Sequence, residues 1–268
     1  MSVLLFINYG GRTMAYRVDL NCDLGESFGN YHLGLDSEVL NYVTSANVAC
    51  GWHAGDPLIM DETVALCKNK GVALGAHPGY PDLMGFGRRA MKISPAEAKA
   101  YMLYQVGALD AFANLYGMKL QHVKLHGAFY NMASVDPELA NAVLDGLEAF
   151  GKGIRAMVLS GSYIAQEAQR RGIPLIQEVF ADRGYTDQGT LVPRNEKGAF
   201  IKEPEEALER VLCMIKEGCV LSNTGHSIPI QADSICLHGD NPEALAFAKT
   251  IREGLEAEGI QVLHFQSQ

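Results

Sequence analysis

The sequence predicts an α/β protein in which parallel strands alternate with helices and close into a (β/α) barrel. Three observations predict it. Short apolar runs alternate with longer amphipathic stretches from one end of the chain to the other. Helix boundaries are chemically marked, with a capping oxygen and a proline at the start and a glycine at the stop. Polar clusters follow nearly every strand, whereas an open doubly wound sheet, which shares the alternation, would gather them at one switch point.

The first strand is read over Tyr16–Asn21, followed by a helix over Ser37–Ser45. The second strand, Ala46–Cys50, runs into Asp56-Pro57, which starts a helix over Pro57–Lys70 that stops at Gly71. Val72–Ala76 is the third strand. Ser94-Pro95, with Glu97 completing a capping box, opens Pro95–Tyr116, and Gly117 ends it. The fourth strand, His122–Leu125, precedes Asp136-Pro137 and a helix over Pro137–Phe150. Arg155–Leu159 is the fifth strand, and its helix Tyr163–Arg171 closes at Gly172. After the sixth strand, Leu175–Phe180, the segment Asp182–Ile201 lacks helical period and is long for a connection, so a functional loop or small hairpin insertion is expected. Helix Pro204–Glu217, strand Ser234–Leu237, helix Pro242–Glu258 and an eighth strand Gln261–Phe265 complete the chain. Residues 14–268 read as one barrel domain, with residues 1–13 an extension ahead of a natural start at Met14.

Composition narrows the function. Of 268 residues, 22 are Lys or Arg and 31 Asp or Glu, a formal net charge of −9. No global basic surface is available for phosphate backbones, which argues against a nucleic-acid binder. Hydrophobic residues at 48% and charged residues at 20% build a sizeable core and exclude disorder as the main state. No window reaches the ~18 consecutive apolar residues of a membrane span, and the apolar stretch Val3 to Ile7 is shorter than the ~7–15-residue core of a secretory signal, so a cytoplasmic protein is expected. The six cysteines contain no Cys-x-x-Cys pair and read as reduced thiols.

The polar residues fall at strand ends. Alternation along the first strand puts Asp19, Asn21 and Asp23 on one face, where buried acids must be hydrogen-bonded, paired or used. A buried polar network sealing the barrel end is the alternative to a site. The second strand, which carries Asn47, ends in a small-residue loop that delivers His53, beside Trp52, which either walls a pocket or packs. The third delivers His77, the fourth Lys124 and His126 on a shared face, the sixth Glu178 and then Asp182 and Arg183, and the seventh His238 and Asp240. A single histidine is more often structural, but four strand ends each delivering one to the same face point to a site. A metal held by Asp23, His53 and His77 is geometrically open, although no local metal motif is present. The stretch from Gly146 to Gly153 resembles a phosphate loop, but it follows a helix and precedes a strand, the reverse of the required context, and reads as a helix stop. Cys22 and Cys50 lie near the strand ends and read as small buried apolar residues.

The segments DLNCDLGESFG (Asp19–Gly29), NVACGWHAGDP (Asn47–Pro57), GAHPGYPDLMGFGRR (Gly75–Arg89), EVFADRGY (Glu178–Tyr185) and HGDNP (His238–Pro242) resemble the LamB/YcsF family over residues 15–265. Leu125, Phe129 and Trp52 depart from its usual proline, leucine and phenylalanine. The resemblance implies an irregular seven-stranded (β/α) barrel related to carbohydrate deacetylases, with one of the eight strands peripheral. It implies the A subunit of an ATP-hydrolysing 5-oxoprolinase, which opens the lactam of 5-oxoproline to L-glutamate together with B and C subunits, with Mg²⁺ accompanying ATP. Phosphate-binding machinery is absent by motif, so partner subunits are expected to supply activation. Catalytic roles then fall to Asp23 or Glu178 as base, to His53, His77 or His126 as acid, and to Lys124. Asn21, Asn47, Arg183, His238 and Asp240 would bind substrate. The family leaves room for a homo-oligomer. A stand-alone metal-dependent amide hydrolase or sugar deacetylase is the competing expectation, and a non-enzymatic ligand-binding subunit a third.

Overall fold

The computed structural model describes residues 16–151, 153–238 and 242–265. The extension assigned to residues 1–13 lies outside them. In chain order the elements are β1 (Arg17–Leu24), α1 (Asp36–Val39), β2 (Ser45–Ala49), α2 (Pro57–Lys70), β3 (Ala73–His77), a 3-10 turn (Leu83–Gly85), α3 (Pro95–Leu115), β4 (Leu120–Val123), α4 (Gly127–Ala133), α5 (Pro137–Phe150), β5 (Arg155–Leu159), α6 (Tyr163–Arg171), β6 (Leu175–Phe180), α7 (Pro204–Lys216), β7 (Cys219–Leu221), β8 (Ser227–Pro229), β9 (Ser234–Leu237), α8 (Pro242–Ala257) and β10 (Gln261–Val262).

Strands pair in parallel in the order β1-β2-β3-β4-β5-β6-β9, and β9 returns to β1 through Asp19↔Ser234 to Cys22↔Leu237. Seven strands therefore close the barrel. The expected eighth strand survives only as β10, which pairs with Arg17 and Val18 before β9 takes over that edge of β1. The antiparallel hairpin β7-β8 lies outside the ring, and no sequence signal pointed to it.

The capping chemistry operates as expected. Asp56 accepts from the Leu58 and Ile59 amides, Ser94 and Glu97 form the reciprocal box, and Gly71 and Gly172 end their helices in the left-handed conformation. The helix expected over Ser37–Ser45 shrinks to one turn, because Thr44 already hydrogen-bonds to Leu20 and Ser45 belongs to β2. Helices α2, α3, α5, α6, α7 and α8 turn apolar faces inward over one continuous core that includes Val64, Met102, Leu144, Ile164, Val211 and Ile251. The long segment after β6 folds back on itself through antiparallel bridges Arg183↔Phe200 and Tyr185↔Leu191, and lies against the carboxyl ends of the strands.

Two glycines let the backbone come this close. A Cβ on Gly75 would stand 2.0 Å from His122 Nε2, so only glycine lets that ring cross β3. Gly87, at φ +62°, holds the turn that brings its backbone against His53 and His126.

Candidate active site

The inward residues form three polar layers along the barrel. In the lowest, Asp19 Oδ1 accepts hydrogen bonds from Thr44 Oγ1 and Ser45 Oγ, both at 2.6 Å, and its other oxygen accepts from Ser234 Oγ. Burial raises the Asp19 carboxyl above its ordinary range, opposed by those hydroxyls. Asn21 and Asn47 make the middle layer. Asn47 Nδ2 donates to Asn21 Oδ1 at 2.8 Å and to Asp23 Oδ1 at 2.9 Å, while His122 Nε2 donates to Asn47 Oδ1 at 2.7 Å. Burial, with the charge of Lys124 adding, pushes His122 down to about 3, so its imidazole is neutral. These two layers are the polar seal that alternation left open as an explanation for Asp19 and Asn21. Asn21 and Asn47 are fully buried and orient the residues above them.

The third layer is charged. β4 hydrogen bonding ends at Val123, two residues earlier than expected, but the extended chain runs on: Lys124 N donates to Ala76 O and His126 N to Pro78 O. Lys124 and His126 consequently keep the shared inward face that period two predicts. Lys124 Nζ lies 3.0 Å from Asp23 Oδ1, 2.7 Å from Glu178 Oε1, 3.2 Å from Asn21 Oδ1 and 3.2 Å from Cys236 Sγ. Burial favours the neutral amine, but the charge of Asp23, with Glu178 adding, outweighs it and holds the ammonium well above the usual lysine range. Burial likewise works to raise Asp23, and the charges of His77 and Lys124 overcome it and keep the carboxylate ionised. Tyr130 OH donates to Glu178 Oε2 at 2.7 Å.

Beside this layer stand three histidines. His77 donates Nδ1–H to Lys124 O at 2.7 Å, and its Nε2 lies 3.2 Å from Asp23 Oδ2. His126 donates Nε2–H to Phe86 O at 2.8 Å, and its Nδ1 lies 3.0 Å from His77 Nε2. His53 stacks on His126 with centroids 3.6 Å apart, and its Nε2 faces Glu26 Oε1 at 3.1 Å. Burial lowers both His53 and His126 well below the ordinary imidazole value, so both are neutral bases.

A cavity of about 690 Å³ opens above these groups, floored by Asp23, His77 and Lys124, with Arg88 and Arg194 at its rim. That volume is within the range of small-ligand sites. Burial, then the charge of Arg88, lowers Arg194, with the charges of Asp182 and Asp23 opposing, and among the described residues neither guanidinium makes a salt bridge to a carboxylate. Two guanidiniums without a salt bridge, beside one cavity, are suited to receive an anion. Arg183 also lines it, but its Nε and Nη2 are committed to Ala199 O and Val192 O. His238 is at the wall with Nδ1 2.7 Å from Asp182 Oδ2. Asp36, on the opposite wall, is raised by burial to about 6.

The structure thus brings Asp23, His53, His77, Lys124, His126 and Glu178 together, with Arg183 and His238 at the wall. Asp240 lies outside the described residues. Trp52 packs on Tyr101 and Tyr104 rather than on the cavity. Cys22 and Cys50 are buried, and burial pushes Cys50 up to about 12, as small core residues. No sequence pattern gave a role to Glu26, Arg88, Tyr130, Arg194 or Cys236. Glu26 lies beyond Gly25, where a turn ends the alternation, and Tyr130 is on α4, a helix that no boundary signal marks.

A parallel barrel that gathers carboxylates, histidines and a buried lysine at the carboxyl ends of its strands, under a cavity, has the site of a barrel enzyme. The chain belongs to the LamB/YcsF family, whose profile matches residues 18–268. It is 61% identical over 249 residues to the 5-oxoprolinase A subunit of Fusobacterium nucleatum, covering 93% of this chain and 97% of that one. It is 56% identical over 247 residues to the protein of the same name from Pyrococcus abyssi, covering 92% and 97%. The crystal structure of a lactam utilization protein from Thermus thermophilus superposes with a TM-score of 0.87 at 45% identity, covering 93% of this chain and all of that one.

Proposed function

We propose that this chain is the A subunit of an ATP-hydrolysing 5-oxoprolinase and that its barrel mouth opens the lactam of 5-oxoproline to L-glutamate. The observation that carries this reading is identity of 61% over nearly the whole length to a protein of that name, combined with the buried Asp23–Lys124–Glu178 layer under the cavity.

The chemistry explains why ATP is needed and what is left for this chain. A five-membered lactam is a resonance-stabilised amide with little strain, so water attacks it slowly. Transfer of a phosphoryl group from ATP to the amide oxygen gives an imidate-like phosphate with a far more electrophilic carbon. Water then adds to that carbon, the C–N bond breaks with a proton passing to nitrogen, and a second water releases glutamate and inorganic phosphate from the acyl phosphate. The sequence that resembles a phosphate loop lies between α5 and β5, at the end of the barrel opposite the cavity. Activation is therefore assigned to the partner B and C subunits, with Mg²⁺ accompanying their ATP, and ring opening to this barrel.

Asp23 is the carboxylate at the cavity floor and takes the proton of the attacking water, whereas Glu178 is sealed behind Lys124 and Tyr130. His77 and His126 reach the same floor, with His53 behind them, and the proton that Asp23 takes from water passes on to the departing nitrogen. Lys124 stabilises developing charge at the carbonyl oxygen, and Arg88 and Arg194, with Arg183, receive the substrate carboxylate or phosphate. The test is glutamate release from 5-oxoproline and ATP by this chain alone and mixed with the B and C subunits. Release only in the full mixture is expected. Release by the chain alone without ATP, abolished by chelator, would replace this reading with the stand-alone metal hydrolase.

A further inference from the structure

His77 and His126 turn nitrogens toward each other, with a third imidazole and a carboxylate beside them. A carbonyl oxygen only accepts, so the bond to Lys124 O places the His77 proton on Nδ1, and the bond to Phe86 O places the His126 proton on Nε2. The second nitrogens, His77 Nε2 and His126 Nδ1, face each other across 3.0 Å. Glu26 Oε1 joins them at 3.5 Å from His126 Nδ1, and His53 Nε2 lies 3.1 Å from the same oxygen. Four atoms able to ligate a metal, from four separate segments, converge there. All four lie within 4.8 Å of one another.

We propose that Glu26, His53, His77 and His126 form a binding site for one divalent ion of the zinc class. Three imidazole nitrogens and one carboxylate oxygen are the donor set that a borderline divalent metal selects, and that magnesium and calcium do not. The spacing fits as well. Tetrahedral ligands at about 2.0–2.1 Å from zinc are about 3.3–3.4 Å apart, and the closest donor separations here are 3.0, 3.1 and 3.5 Å. His77 and His126 each tie their second nitrogen to a backbone carbonyl, the outer contact that fixes a metal-binding tautomer. Asp23, the carboxylate that strand alternation had suggested as a ligand, is instead occupied through Oδ1 by Lys124 and Asn47, with Oδ2 at the edge of the group. An ion held there would polarise a carbonyl or phosphoryl oxygen entering the cavity. The site does not rest on the identity of the substrate.

The test is metal content and affinity of the full chain, stripped with chelator and titrated with Zn²⁺, read by elemental analysis and calorimetry, with circular dichroism to verify folding. One ion per chain is expected, together with a rise in melting temperature. Glu26→Gln and His126→Asn should each weaken zinc at least about tenfold. Cys213→Ser/Cys219→Ser should keep the stoichiometry, because the other described group of metal-ligating side chains, Cys213, Glu217 and Cys219, is remote from the cavity. Absence of saturable binding to the folded chain, unchanged affinity in Glu26→Gln and His126→Asn, or loss only in the cysteine variant would each overturn the proposal. None of these readouts involves 5-oxoproline, so failure here leaves the assigned reaction standing, and failure of turnover leaves the site standing.

Discussion

Lys124 Nζ lies 2.7 Å from Glu178 Oε1, with the two side chains 3% and 0% exposed. A fully buried ion pair is a poor stabiliser relative to apolar groups of the same shape, yet removing one partner costs about 3–5 kcal/mol because the other charge is left uncompensated. Lys124→Met should therefore destabilise the chain by that order in urea unfolding, and Lys124→Met/Glu178→Gln should recover much of it. Turnover in the reconstituted enzyme should fall about 100-fold or more in both, since the ammonium is absent from each. Near-normal activity in the double variant would remove Lys124 from the chemistry and leave it a structural cation.

How legible this site was depended on whether strand alternation reached it. Asp23, Lys124, His126 and Glu178 could be placed because period two fixes their face, and that held for Lys124 and His126 even beyond the last β4 hydrogen bond. Alternation could not separate depth from direction: Asp19, Asn21 and Asn47 point inward as expected but lie in layers below the cavity. It also stops where the chain turns. Gly25 at φ +68° ends the pattern one residue before Glu26, and Arg194 comes from a segment without period. Helix α4, seven residues long, is too short for a 3.6-residue repeat to show, so Tyr130 stayed hidden. The outer shell was the easy part, since Asp-Pro, Ser-Pro and glycine punctuation acts locally and needs no tertiary partner.

Gly75 and His122 should be energetically coupled. A Cβ added at Gly75 would sit 2.0 Å from His122 Nε2, and that ring is itself held to Asn47 Oδ1. Gly75→Ala should destabilise the chain by about 1–3 kcal/mol through overpacking. In Gly75→Ala/His122→Ala the clash is gone, so the loss should be smaller than the sum of the two single losses, by more than about 0.5 kcal/mol. Simple additivity in a denaturant double-mutant cycle would show that the ring moves aside at no cost.

Asp36 gives a pH signature. Burial raises its carboxyl from 3.8 to about 6, so the folded chain binds this proton more tightly than the unfolded chain does. Between those two values the native state carries more bound proton, and stability contributed by the neutral carboxyl is lost as pH rises through about 6. The ceiling is about 3 kcal/mol at 1.36 kcal/mol per pH unit, lowered by the side chain's partial exposure. Unfolding free energies of wild type and Asp36→Asn, measured from pH 4 to 7, should diverge in the variant's favour as pH rises. Parallel curves would mean that the carboxyl titrates normally in the fold.

Arg88 and Arg194 make the strongest functional prediction about the cavity rim. Burial first, and then the charge of Arg88, act on Arg194 against its ionisation, with the charges of Asp182 and Asp23 opposing. An anion between the two guanidiniums would be favoured by both charges, so Arg194→Ala should weaken substrate. KM for 5-oxoproline in the reconstituted enzyme should rise about tenfold or more, the scale of one charge-assisted hydrogen bond at about 1.5–3 kcal/mol, with melting temperature unchanged or slightly higher. Arg194→Lys should recover little if the guanidinium binds its anion through two parallel hydrogen bonds, and much if it acts as a point charge. An unaltered KM in Arg88→Ala/Arg194→Ala would place the substrate anion elsewhere, leaving Arg183 and His238 to receive it.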